Sequence, residues 1–152
     1  MTQQDKELLL KDLCARLPYG VQCKVHYIIN NETTDGEDVD AEETDTITKV
    51  DTTHSQVYTD WLDDWSDVED IKPYLRPMSS MTEEEKSKLN GIIFDMGDKW
   101  FADESSNQDK WKACCLAYGE CADYLNSIHI DYRGLIEKGL ALEAPEGMYK
   151  FE

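Results

Sequence analysis

The sequence predicts an α+β fold: an N-terminal helix, a small antiparallel sheet of about three to five strands, and then two to three helices packed on it. Three observations lead there. Period-2 alternation and Thr-rich, β-branched segments are confined to the first half of the chain. Apolar residues at helical spacing dominate the second half. The regular strand–helix–strand alternation of a parallel sheet is missing. A chain of 152 residues suits a single domain over 1–152, since about 150 residues bury roughly 68–70 % of the unfolded surface without disulfides or a structural metal.

The elements follow in order. Leu9, Leu10, Leu13 and Leu17 share one face of a helix over residues 5–17, with Thr2 as N-cap and Asp5 as its capping-box acid. Pro18, Tyr19 and Gly20 stop it. Val21, Cys23, Val25, Tyr27 and Ile29 then alternate with Gln22, Lys24, His26 and Ile28, which predicts a strand buried on one face. Residues 46–50 and 54–61 predict two shorter strands of a meander. Pro73 and Pro77 make residues 71–77 a rigid connector held to the core by Ile71, Tyr74 and Leu75.

A second helix opens at a Thr82/Glu85 capping box, buries Leu89, Ile92, Ile93 and Met96, and ends at Gly97. Ser105, Ser106 and Asn107 cap a third, over residues 108–126, striped by Trp111, Cys114, Cys115, Tyr118, Cys121, Ala122 and Leu125. Gly119 within it suggests close packing. Residues 128–130 read as extended, and Asp131 caps a short helix running to Lys138 before Gly139.

Charge is distributed very unevenly. The chain carries 33 acidic and 15 basic residues, a formal charge of −18. Residues 31–70 hold fifteen of the acids against Lys49 alone. Repulsion among them predicts an exposed acidic loop or tip over 31–45, inserted after the first strand. Asp35, Glu37, Asp38, Asp40, Glu42 and Glu43 in that loop, with Asp60, Asp63 and Asp64 further on, are either solvated surface or an anionic face for a basic partner. Trp61 and Trp65 among the latter are a core edge or a contact patch, and the core edge is the commoner arrangement. Such acidity excludes nonspecific binding to nucleic-acid phosphates or anionic membranes, which both need positive charge. No run reaches the ~18–20 apolar residues of a membrane span, and the opening MTQQDKELLL lacks a signal-peptide pattern. The expected location is the cytoplasm.

Three blocks of the chain resemble a set of short proteins from gut Bacteroidales bacteria and their phages. They are Glu7 to Val21 (ELLLKDLCARLPYGV), Ile71 to Glu85 (IKPYLRPMSSMTEEE) and His129 to Tyr149 (HIDYRGLIEKGLALEAPEGMY). The family carries no assigned activity. The resemblance implies a phage or mobile-element setting and an accessory role, and it transfers no catalytic residue. Helix faces, turns and proline connectors make up the blocks, while the acidic middle lies outside them.

Motif chemistry is sparse. Cys14, Cys23, Cys114, Cys115 and Cys121 read as reduced core thiols, because adjacent cysteines diverge on a helix and two thiolates from one helix do not complete a zinc site. Asn31, Thr33, Asp35, Gly36 and Glu42 imitate a calcium loop but lack its leading Asp and preceding helix. His26, His54 and His129 have no nucleophile pattern around them, and His129 with Asp131 reads as a local hydrogen-bonding pair. No glycine-rich phosphate loop follows a strand. The expectation is a non-enzymatic protein without cofactor or metal, presenting a variable acidic surface to a protein partner. Two alternatives stand beside it: a nucleic-acid mimic directed at a basic nuclease, defence protein or polymerase, and a small-molecule-binding protein or enzyme with Cys115, His129 and Asp131 in a pocket. An incompletely covered sheet edge also leaves room for a homodimer.

Overall fold

The computed structural model describes residues 1–30, 38–101 and 107–149. It is an α+β fold built from helix α1 (Gln3–Arg16), strands β1 (Gln22–Asn30), β2 (Asp38–Asp51), β3 (Gln56–Thr59), β4 (Asp64–Asp67) and β5 (Ile71–Leu75), helices α2 (Glu83–Phe101) and α3 (Asn107–Ser127), and a short β6 (Leu142–Glu143). The six strands form one sheet in the order β4-β3-β2-β1-β5-β6. All neighbours are antiparallel except β5 and β6.

Helix α1 begins as its sequence dictates. The Thr2 hydroxyl accepts from the Asp5 N–H at 3.1 Å, and the Asp5 carboxylate accepts from the Thr2 N–H in return. Leu9, Leu10 and Leu13 share one core with Cys23, Val25, Ile47, Val57, Ile71 and Leu75 of the sheet and with Val21 and Val68 beside it. The same face carries a buried ion pair, since Asp12 and Arg16 follow Leu9 and Leu13 by three residues. The Arg16 guanidinium donates to Asp12 at 2.7 Å and to the Ile130 carbonyl at 2.9 Å, while Arg133 reaches Asp12 at 3.0 Å. Gly20 ends the segment in the left-handed region, at φ 67°.

Several expectations need correction. Residues 38–45 are not a loop; they are the first half of a fourteen-residue strand, paired with β1 from Asn30↔Asp38 to Gln22↔Thr46. Lys24 and His26 opposite the acids, and a complete backbone ladder, offset the repulsion that the charge run implied. Residues 31–37, with the calcium-loop imitation, Asp35 and Glu37, lie outside the described residues. Burial along β1 stops after Val25: Tyr27 is half-buried, and Ile28 and Ile29 are exposed. The residue 54–61 strand is shorter, at Gln56–Thr59, and is followed by the unexpected β4.

Residues 71–75 are an interior strand despite Pro73. That residue pairs with Cys23 on one side, whereas β6 pairs with β5 only at Tyr74 and Leu75, so no ladder bond is required of Pro73 on the other. The Thr82/Glu85 capping box forms, but α2 runs past Gly97 to Phe101. Its Leu89 and Ile92 are half-buried, whereas Ile93 is exposed. Gly119 meets no close neighbour, and Tyr118 faces outward. Ser105 and Ser106 of the predicted cap lie outside the described residues. Helices α2 and α3 pack on each other and close a smaller core of Met81, Leu125, Ile128 and Ile130.

Residues 128–130 are not uniformly extended, because His129 sits at φ 58°. Residues 131–139 form turns rather than a helix, although Asp131 does cap them by accepting from the Leu135 and Ile136 N–H groups at 2.9 and 2.8 Å. Cys23 is buried as expected, but Cys14 is exposed and Cys121 half-buried.

Candidate functional site

The acids of β2 are sorted by strand parity. Asp38, Asp40 and Glu42 share the face of His26 and Lys24, and Glu43 and Asp45 share that of Val25 and Cys23. Glu42 pairs with Lys24, and Asp40 lies 3.4 Å from the His26 ring. The Lys24 contact holds the Glu42 carboxyl below its ordinary range and lifts that of the lysine.

Asp45 is the exception among the acids of β2, because it is buried. Its carboxylate accepts from the N–H groups of Thr46 at 2.7 Å, Trp61 at 2.9 Å and Leu62 at 3.0 Å. Burial by itself would raise its pKa; the Trp61 and Leu62 donors, with Thr59 and Thr46, outweigh it and hold the group ionised. Asp45 thus anchors the turn that displays Asp60, Trp61, Asp63 and Asp64. The local charge run predicts a loop at this position. The available signal was parity: Ile47, two residues on, is a core residue, so a strand there turns Asp45 inward too.

The two tryptophans are surface residues, not a core edge. Trp61 is 61 % exposed and tilted against Tyr27, with ring centroids 6.0 Å apart. Trp65 is 40 % exposed and meets Tyr58 edge-on at 5.4 Å. Lys49 lies 4.2 Å above the other aromatic partner, the Tyr58 ring, whose hydroxyl donates to Asp63. That bond, followed by burial and the charges of Asp63, Asp64 and Asp60, raises the Tyr58 pKa.

Strands β1 and β4 lie three places apart in the sheet, yet they line one open cleft of about 490 Å³. His26, Tyr27 and Ile28 form one wall; Asp64, Trp65, Ser66 and Asp67 form the other; Gln56, Leu62 and Asp70 complete it. Of the eleven candidate partner-binding residues, this region gathers Trp61, Asp64 and Trp65 with Asp60 and Asp63 on the adjoining turn. Asp38, Asp40, Glu42 and Glu43 extend away along β2.

A second polar centre is buried. His129, 2 % exposed, stacks on Tyr149, and the Tyr149 hydroxyl accepts from the Gln22 N–H at 2.9 Å and donates to the Tyr74 carbonyl at 2.8 Å. Burial, then the charge of Arg16, pushes His129 down to about 4, against a hydrogen bond with the Tyr19 backbone that works the other way. A neighbouring cleft of about 470 Å³ contains Tyr149 with Arg76 and Glu85, which form a salt bridge at 2.8 Å. Asp131 borders a different cleft and is occupied in capping, while the Cys115 side chain lies outside the described residues. Cys23 is pushed up to about 12 by burial and by Asp45, so its thiol stays protonated. Among the described residues, no group of three or more His, Cys, Asp or Glu is placed to hold a metal, and no helix is long and apolar enough to cross a membrane.

No family model, curated protein or solved structure matches the chain.

Proposed function

We propose that this chain is a non-enzymatic accessory protein that presents an acidic and aromatic surface to a basic protein partner. The observation carrying this reading is the joint exposure of Trp61 and Trp65 within a stretch, residues 60–70, that has six acids and no Lys or Arg. Exposed indole faces attract Lys and Arg by cation–π contact, and neighbouring carboxylates add charge-assisted hydrogen bonds. Anchoring by Asp45 keeps these groups in a fixed arrangement, which lowers the ordering cost of binding. The sequence blocks resembling phage and Bacteroidales proteins suggest a mobile-element setting. They form α1, β5 and the His129–Tyr149 region, while the acidic surface lies outside them.

The test is affinity capture from a gut-bacterial lysate by wild type and by the double variant Trp61→Ala/Trp65→Ala, at low and molar salt. Basic proteins retained by wild type at low salt, and lost with the variant or with salt, support the reading. Retention indifferent to both overturns it.

A second reading, mimicry of a nucleic acid, draws on β2. Asp38, Asp40 and Glu42 alternate with Val39 and Ala41, which spaces like charges by about 6.8 Å along one strand face. Competition with duplex DNA for a captured partner distinguishes the two. Displacement by DNA favours mimicry, whereas simultaneous binding excludes it.

A further inference from the structure

Among the described residues, two open stretches of strand edge border the same cleft. β4 pairs with β3 alone, and β1 pairs with β5 only at Cys23, Lys24 and Val25, so the β5-side edge of β1 is open from His26 onward. His26, Tyr27 and Ile28 border the cleft from this open edge, and Asp64 to Asp67 border it from β4. The edge of β4 can be read group by group. Val68 N–H donates back to Ser55 at 2.9 Å, on the β3 side, whereas Trp65 N–H turns away from β3 and is held by the Asp64 side chain at 2.8 Å. Strand alternation then directs the Asp67 N–H outward with that of Trp65, together with the carbonyls of both residues.

We infer that this seam takes an extended, lysine- or arginine-bearing peptide, which adds to β4 as a further strand. The inference rests on the proposed function and specifies how its partner docks. Main-chain bonds to Trp65 and Asp67 supply the register, with the incoming carbonyl replacing the Asp64 carboxylate at the Trp65 N–H. Alternate side chains of the peptide then meet Asp64, Asp67 and Asp70 or pack on Tyr27, Ile28 and Leu62. Charge selects the occupant. A second copy of this chain would bring β4 acids against β4 acids, the kind of like-charge edge that opposes self-pairing, whereas a basic strand neutralises them.

Asp67 also provides the test, because its φ of −64° is one that proline adopts. Asp67→Pro removes the outward N–H and a charge; Asp67→Asn removes the charge alone. The probe is a fluorescein-labelled peptide of alternating lysine and valine, followed by anisotropy at low salt. Strand addition predicts about twofold to threefold weakening for Asp67→Asn, as for one exposed ion pair. It predicts at least about tenfold for Asp67→Pro, through lost backbone bonding. Equal weakening by the two variants overturns strand addition and leaves electrostatic capture standing. No binding by wild type overturns both. Amide exchange on the wild-type protein gives a readout independent of any variant's folding. Peptide addition slows exchange at Trp65 and Asp67, and unchanged rates there refute the docking. Self-association of wild type that Asp67→Pro abolishes also overturns the inference, assigning the seam to a second copy.

Discussion

Tyr149 stacks flat on His129, with ring centroids 3.7 Å apart and planes 16° from parallel. The stack holds an imidazole that is neutral at physiological pH, since its pKa is about 4 against an ordinary 6.5. The unfolded chain therefore binds one more proton than the native state between those values. Stability from this site is complete above pH 6.5, declines as pH falls, and is fully lost near pH 4. The difference amounts to roughly 3 kcal/mol. Urea midpoints measured across pH 4–7 should fall on the acid side for wild type and flatten for His129→Gln. A wild-type profile as flat as the variant's would refute the assignment.

Tyr149→Phe keeps the ring and removes the hydroxyl. The Gln22 N–H loses its acceptor and the Tyr74 carbonyl its donor, a loss of about 1–3 kcal/mol. Equilibrium denaturation measures it. Wild type should also lose stability as pH rises from 10 to 12, because burial, the largest influence, lifts the phenol to about 12 and ionisation favours the unfolded chain.

Asp12→Ala leaves Arg16 buried without its carboxylate and takes the ion-pair partner of Arg133. Removing one member of a buried pair costs about 3–5 kcal/mol. Asp12→Ala should therefore be among the most destabilising single substitutions in the chain, as thermal denaturation would reveal.

Trp61→Ser should change stability by no more than about 0.5 kcal/mol and Trp65→Ser, which gives up its edge contact with Tyr58, by about 0.5–1.5 kcal/mol, while both weaken capture of a basic partner. Asp45→Asn acts differently. It removes a charged acceptor serving Trp61 and Leu62, which costs about 1.5–3 kcal/mol. It should also shift the Trp61 emission, because the turn loses its anchor. Emission identical to wild type would mean that the turn holds its place without Asp45.

Elements with coincident local signals were legible in the sequence. For α1, the Thr2/Asp5 box, the leucine face and Gly20 all agree, and the Thr82/Glu85 box fixes the start of α2 in the same way. What could not be read depends on partners distant in the chain. Near neighbours alone make residues 38–45 repel one another, whereas Lys24 and His26 across the ladder make a strand tolerable there. Pro73 is tolerated in an interior strand because β6, far along the chain, is too short to reach it. For the candidate site, the surface character of the acids at 60–70 was legible, because six acids without a base cannot be buried together. The cleft was not legible, because bringing β1 opposite β4 requires the whole sheet order.

The bond between Gln22 and Tyr149 spans 127 residues. A chain emerging from a ribosome at about 5–20 residues per second carries Gln22 for roughly 6–25 s before its acceptor has been made. During that interval β1 can pair with β2 but lacks the clasp that Tyr149 provides. Native closure is therefore a late, non-local event. Contacts of such long sequence separation slow folding, and this one ties the completion of the sheet to the arrival of a single distant tyrosine.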